Sequence, residues 1–170
     1  IRAEGVREVL ERMAEQDVSG PAFRAQEPRR IAVCRYLPEA TAAAMLVAPD
    51  LAAALAACED RLHWVQNANY SDEALGPGFM NGYGYCEIIG PHGFYAGDDF
   101  LLGLMLLGPR RHYRDHFHPA PELYWLLTGP SDWSKARSPF GEYEAGETLW
   151  HPPMTMHATR SLDTPLLAVW

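Results

Sequence analysis

Apolar and polar positions change rhythm once along this chain. In the first part they recur with the 3.6-residue period of a helix. Val6, Leu10 and Met13 share one face with arginine and glutamate opposite, and Leu51, Leu55, Cys58, Leu62 and Val65 form a second stripe. Between them LPEATAAAMLV is alanine-rich, with Pro38 suited to a helix start. Asp50, after Pro49, reads as the N-cap of the helix that carries the second stripe. From about Met80 the apolar runs become short or alternating: YGYCEII, FLLGLMLL, ELYWLLT, ETLWH and PLLAVW, separated by GPHG, AGDD, LGPRR, TGPSD, EAGE and LDTP. Many short strands punctuated by turn residues predict a sandwich or barrel. The pattern therefore predicts one mainly β structural domain, with residues 1–66 as a helical segment packing on a barrel formed by residues 67–170.

Composition narrows the function classes. The 170 residues suffice for one domain with a real core. A net charge of −8, from 14 basic and 22 acidic residues, argues against a nucleic-acid or anionic-membrane partner. Lys135 is the only lysine and lies in the polar run SDWSKARS, which reads as a loop, so Schiff-base chemistry is set aside. Cys34, Cys58 and Cys86 are odd in number, widely spaced and free of a CxxC pair, and read as small buried thiols. No apolar run reaches the roughly 20 residues of a membrane span, and no signal peptide is visible. Cytoplasm is the expected compartment. The chain starts at Ile1 and stops on LLAVW, and both ends read as trimmed from a longer protein.

The chemistry concentrates in HFHPAPELYWLLTG, residues 116–129. Strand side chains alternate, so His116 and His118 face one way, and Glu122 and Tyr124 form a second same-face pair. Pro119 and Pro121 between them predict a bend. His157 opens another strand after the turn-like HPP. Histidine and glutamate are poor core residues unless something pairs with them. Two or three imidazole nitrogens with one carboxylate oxygen suit a single divalent transition metal (Fe, Mn, Co, Ni or Zn) and leave positions open for a substrate. The plainer alternative is that each histidine is simply hydrogen-bonded. Tyr113 lies three residues from His116, so strict alternation turns it away and a bulge in HYRDH would restore it. Trp125 and Leu127 have the opposite parity to Tyr124 and read as packing against helices or a second subunit. His112 reads as exposed, His151 as either a support for a ligand or a turn residue, and His63 and His92 have no assigned role.

These residues carry a resemblance. Gly108, His116, His118, Glu122 and Gly129 resemble the first motif of cupins; Gly146, Pro152 and His157 resemble the second, with Met154 where a glycine is usual. The resemblance implies a double-stranded β-helix barrel and a metal set of His116, His118, Glu122 and His157. More narrowly, Y-x-x-H-x-H-x-x-x-E-x-Y, present as Tyr113, His116, His118, Glu122 and Tyr124, is similar to the cupin-type dimethylsulfoniopropionate lyases of the DddQ and DddL group, which also carry an N-terminal helical layer. It implies cleavage of dimethylsulfoniopropionate to dimethyl sulfide and acrylate, with Tyr113 and Tyr124 as active-site tyrosines. The proton removed lies beside a carboxylate and is very weakly acidic, so a cation bound to that carboxylate and a phenol beside the cation suit the reaction. Parity favours Tyr124 as the base and Tyr113 as its helper, and His116 either binds metal or holds substrate. A soft sulfonium is drawn to aromatic faces, which makes Tyr83, Trp150 and Trp170 the candidate substrate-binding residues. Alternatives that keep the barrel are a dioxygenase, an isomerase, or a non-enzymatic cupin that binds a small ligand. The expected partner is a small molecule, and a homodimer fits the family.

Overall fold

A computed structural model describes residues 5–170. Helix α1 (Val6–Ala14) is followed by a short 3-10 turn at Ala32–Tyr36, α2 (Leu37–Ala44), α3 (Pro49–Cys58) and a one-turn helix α4 (Asp72–Leu75). Pro38 and Pro49 sit in the first turns of α2 and α3, where a missing N–H costs nothing. Ten strands follow the turn signals: β1 (Trp64–Val65), β2 (Tyr83–Ile89), β3 (Leu102–Leu107), β4 (His112–His116), β5 (Glu122–Leu126), β6 (Ser131–Lys135), β7 (Gly141–Tyr143), β8 (Thr148–His151), β9 (His157–Ser161) and β10 (Leu166–Val169). They form a six-stranded sheet, β1-β2-β3-β10-β5-β8, facing a four-stranded one, β4-β9-β6-β7, with the paired strands antiparallel throughout. This is the mainly β barrel with N-terminal helices that the turn rhythm predicts.

Period-two alternation separates two apolar cores. Leu104 and Leu106 of β3, Leu127 after β5 and Leu167 of β10 point outward, where they meet Leu37, Ala40, Ala44, Ala52 and Leu55 of α2 and α3. Their neighbours Met105, Leu107, Tyr124, Leu126, Leu166 and Ala168 point into the barrel. Trp125 joins the outer cluster, as its parity predicts. The alanine content of α2 and α3 lets these helices lie close on the sheet.

Four local readings need correction. The second apolar stripe does not run as a helix to Val65. The helix ends at Cys58, and after a 3-10 turn the chain extends so that Trp64 pairs with Cys86 and Val65 with Tyr85. Sheet pairing there outweighs the helical period. Asp50 lies inside the first turn of α3; the N-cap is Ala48. Lys135 ends β6 rather than lying in a loop, and pairs with His157. Finally, the Val6–Leu10–Met13 face of α1 is not its packed face. Leu10 is 53% and Met13 40% exposed, and α1 buries no residue fully. Val9 and Arg12 turn toward the barrel mouth instead, with Arg12 Nη2 2.8 Å from Asp99 Oδ2. Gly5 lies flush on the Trp150 indole, where any Cβ would overlap the ring, and this contact sets the approach of the helix. No helix among the described residues is long and apolar enough to cross a membrane.

The contrast between the outer core and α1 is measurable. Leu127→Ala should cost about 2–5 kcal/mol of unfolding free energy, whereas Leu10→Gln should change it by less than about 0.5 kcal/mol. Urea titration of both variants checks the pair; a large loss from Leu10→Gln would mean that its face is covered.

Candidate active site

Two cross-strand pairs build the centre of the site, one from each sheet. On the larger sheet Glu122 of β5 stands opposite His151 of β8; on the smaller, His116 of β4 stands opposite His157 of β9. His118 follows β4 in the Pro119–Pro121 bend that carries the chain between the sheets. The β4–β9 register holds the explanation for Tyr113. Tyr113 pairs with Thr159 and His116 with His157, so three steps along β4 match two along β9. That one-residue bulge places Tyr113 on the same face as His116, and the Tyr113 ring stacks on the imidazole at 4.0 Å between centroids.

His118, Glu122 and His157 offer ligand atoms that all lie within 4.8 Å of one another. Glu122 Oε2 is 3.0 Å from His118 Nε2 and 3.2 Å from His157 Nε2. The second ring nitrogen of each histidine is already committed: Nδ1 of His118 to the Ala120 carbonyl and Nδ1 of His157 to the Thr155 carbonyl, both at 2.8 Å. That arrangement fixes the ring and presents Nε2, as metal-binding histidines require. His157 Nε2 is buried and has no hydrogen-bond partner of acceptable geometry. A buried orphan nitrogen beside a carboxylate oxygen is costly in a protein that binds nothing there, so the donor set fits a divalent cation. His116 stands outside this group of three. Its Nδ1 is likewise bonded to a backbone carbonyl, Arg114 at 2.8 Å, and its ring lies 4.1 Å from that of His157.

The charge distribution follows from this packing. Burial alone would raise Glu122, yet the imidazoles of His118, His151 and His157 hold it well below the usual carboxylate range. His118 is raised by the hydrogen bond to Glu122. His116 is pushed down to about 4 by burial, with His157 beside it. Tyr124 is raised well above its ordinary value by burial and then by the Glu122 carboxylate. Tyr113 is raised by burial among its fellow tyrosines, and its hydroxyl shares a 2.8 Å hydrogen bond with Tyr70.

Two cavities meet at Glu122. An outer one of about 510 Å³ lies between α1, residues 98–102, His118, Trp150 and Trp170. An inner one of about 250 Å³ is lined by Tyr83, Tyr85, Glu87, Tyr113, Tyr124 and Trp170 among others. Of the aromatic residues singled out from sequence, Tyr83 lines the inner cavity, Trp150 the outer, and Trp170 both. His112 is exposed, against Phe140.

Four neighbours of the site escape the motif. Tyr70 sits in an irregular loop, NANYSDE, with no period to betray it. Tyr85 and Glu87 share strand parity with Tyr83, and alternation alone could have placed them inside. His151, which sequence left between two roles, is 1% exposed, stacks on His157 at 4.1 Å, and has its Nδ1 3.8 Å from Glu122 Oε2. It therefore packs behind the donor set.

A curated relative, the dimethylsulfoniopropionate lyase DddQ of Ruegeria pomeroyi, is 31% identical over 100 residues, 59% of this chain, and the match spans about half (50%) of that relative's length. The crystal structure of DddQ from Ruegeria pomeroyi DSS-3 superposes with a TM-score of 0.72 at 23% identity, covering 96% of this chain and 86% of that one. A solved structure from work on the DMSP lyases RdDddP and RnDddQII superposes at 0.74 with 23% identity, over 98% and 87% of the two chains. At that identity the superpositions speak to the fold. The family description for dimethylsulfoniopropionate lyases matches residues 5–168, nearly all of the chain, and the chain belongs to that family.

Proposed function

We propose that this chain is a metal-dependent carbon–sulfur lyase that cleaves dimethylsulfoniopropionate to dimethyl sulfide and acrylate by base-initiated β-elimination. The observation that carries the reading is the meeting of three cation donors, His118, Glu122 and His157, with the buried phenol of Tyr124 at the floor of an aromatic cavity. Family membership supports the choice of substrate.

His118, Glu122 and His157 would hold a divalent cation (Fe, Mn, Co, Ni and Zn all suit the set), which would supply Lewis acidity to offset the substrate carboxylate and a positive charge to acidify a neighbouring phenol. Tyr124, as the phenolate after its own proton has left to solvent, takes the proton from the carbon next to the carboxylate. The C–H electron pair becomes the carbon–carbon double bond, and the C–S bond breaks with its pair leaving on sulfur as neutral dimethyl sulfide. Without a cation, burial and the Glu122 charge both hold Tyr124 as a neutral phenol, which is a poor base. Tyr113, held protonated and hydrogen-bonded to Tyr70, is suited to donate a hydrogen bond to the substrate rather than to take its proton. An oxygenase on the same donors has no use for a phenol base in this place, and family membership favours elimination over isomerisation.

Tyr124→Phe should lower dimethyl sulfide release by at least about 100-fold while metal content by elemental analysis stays at the wild-type level. His157→Ala should lose the metal itself. Wild-type turnover by Tyr124→Phe would remove its role as base, and full metal retention by His157→Ala would break the ligand assignment.

The metal-free protein should also weaken in acid. His116 takes up a proton near 6.5 in the unfolded chain but only at about 4 in the fold, so between those values the unfolded chain binds more protons and stability falls as pH falls. Glu122 adds loss in the same direction below its ordinary value, because its folded-state value is depressed. Thermal melts of chelator-treated protein should show Tm dropping from pH 6.5 toward 4.5, with a shallower slope in His116→Gln; identical slopes would contradict the buried neutral imidazole.

A further inference from the structure

One ionisable side chain in the inner cavity has no part in the elimination. Glu87 of β2 shares the inward parity of Tyr83 and Tyr85 and lines the same cavity as Tyr113, Tyr124 and Trp170. Its cross-strand partner in β3 is Gly103. A Cβ on Gly103 would come within 2.7 Å of the Trp170 indole, so the missing side chain leaves room for that ring to lie over β3 next to Glu87. The placement is firm, because Trp170 and Gly103 exchange two backbone hydrogen bonds, at 2.8 and 3.0 Å. Trp170 in turn meets Tyr85 edge-on at 6.2 Å. The carboxylate therefore stands at the border of an aromatic wall made by Tyr83, Tyr85 and Trp170.

Glu87 is only partly spent by the fold. One oxygen accepts the His92 backbone N–H at 2.7 Å across the turn after β2. Among the described residues no arginine, lysine or histidine side chain pairs with it, and the second oxygen has no other partner. Glu122, the other carboxylate of the cavity, is enclosed by histidines. The aromatic wall and the carboxylate both attract a compact cation, and the ring faces suit one whose charge is covered by methyl groups.

Resting on the lyase reading for the identity of the ligand, we propose that Glu87 is a charge-selecting residue: with Tyr83, Tyr85 and Trp170 it receives the positively charged onium end of the substrate, while the carboxylate end points to His118, Glu122 and His157. Glu87 takes no proton and forms no bond. It discriminates a zwitterion from an uncharged tail of the same shape, so the site accepts sulfonium and quaternary ammonium propionates and disfavours their carbon isosteres.

The test uses two ligands of equal shape, 3-(trimethylammonio)propanoate and 4,4-dimethylpentanoate, titrated calorimetrically into the purified protein. Glu87→Gln removes the charge but keeps an amide oxygen for the His92 N–H, so the turn is preserved. Wild type should bind the ammonium compound more tightly than its neutral twin; Glu87→Gln should weaken the ammonium compound by about five- to tenfold and leave the neutral one unchanged. Glu87→Asp, which keeps the charge, should retain the preference and serves if the amide variant does not fold. Equal weakening of both ligands, or of neither, would overturn the inference and return Glu87 to a turn residue. A protein that shows the charge preference and loses it in Glu87→Gln, yet releases no dimethyl sulfide from dimethylsulfoniopropionate, would uphold this inference and defeat the lyase reading.

Discussion

The site is organised around a carboxylate buried among imidazoles. Glu122 points into the barrel, where an unpaired charge would be far too costly to keep. Three histidines from three different segments close around it: His118 from the bend after β4, His151 from β8 and His157 from β9. The two sheets must face each other for this to happen, and the register of each supplies one half, Glu122 against His151 and His116 against His157. The orphan Nε2 of His157 shows that protein–protein hydrogen bonds alone do not complete the set. A cation would satisfy the carboxylate and the orphan nitrogen together, so the same constraint that shapes the barrel interior also creates the chemical potential of the site.

The helical layer works at one remove. α2 and α3 cover the outer face of the larger sheet, which lets β3 and β10 be apolar on both faces and stay dry. The inner face is then free to carry tyrosines. Tyr113, Tyr83, Phe79 and Tyr70 form a cluster of rings within 5.0 to 6.4 Å of one another. Burial keeps the Tyr83 and Tyr113 phenols neutral, which accords with the proposed role of these rings as a cation-facing wall rather than as bases.

Legibility in the sequence followed the length scale of the interaction. Strand alternation placed Glu122, Tyr124, Trp125 and Leu127 correctly, because parity is a local property of the backbone. The turn residues marked β2, β3, β5, β8 and β10, whereas β1 reads as helix and β6 as loop from the sequence. The bulge in HYRDH was needed to bring Tyr113 inward, and the β4–β9 pairing contains it, but its position depends on a partner strand some forty residues away. Tyr70 is invisible for the same reason: only the folded loop brings its hydroxyl to Tyr113. The α1 face misled because amphipathicity says that a helix has an apolar side, not which side a neighbour covers. The stripe through Leu62 and Val65 misled because a helical period and the edge of a sheet competed for the same residues, and the sheet offered hydrogen bonds that the helix could not. The stacking of His116 on Tyr113 is likewise a contact that no spacing rule encodes.

The central claim is that a cation held by His118, Glu122 and His157 lets a buried phenol perform an elimination. Its most direct test is headspace chromatography of purified protein incubated with dimethylsulfoniopropionate, before chelation, after chelation, and after adding back single divalent metals. The account predicts dimethyl sulfide and acrylate in equal amounts, loss of both on chelation, and recovery with at least one of iron, manganese, cobalt, nickel or zinc. Undiminished release from protein shown by elemental analysis to be free of metal would contradict it.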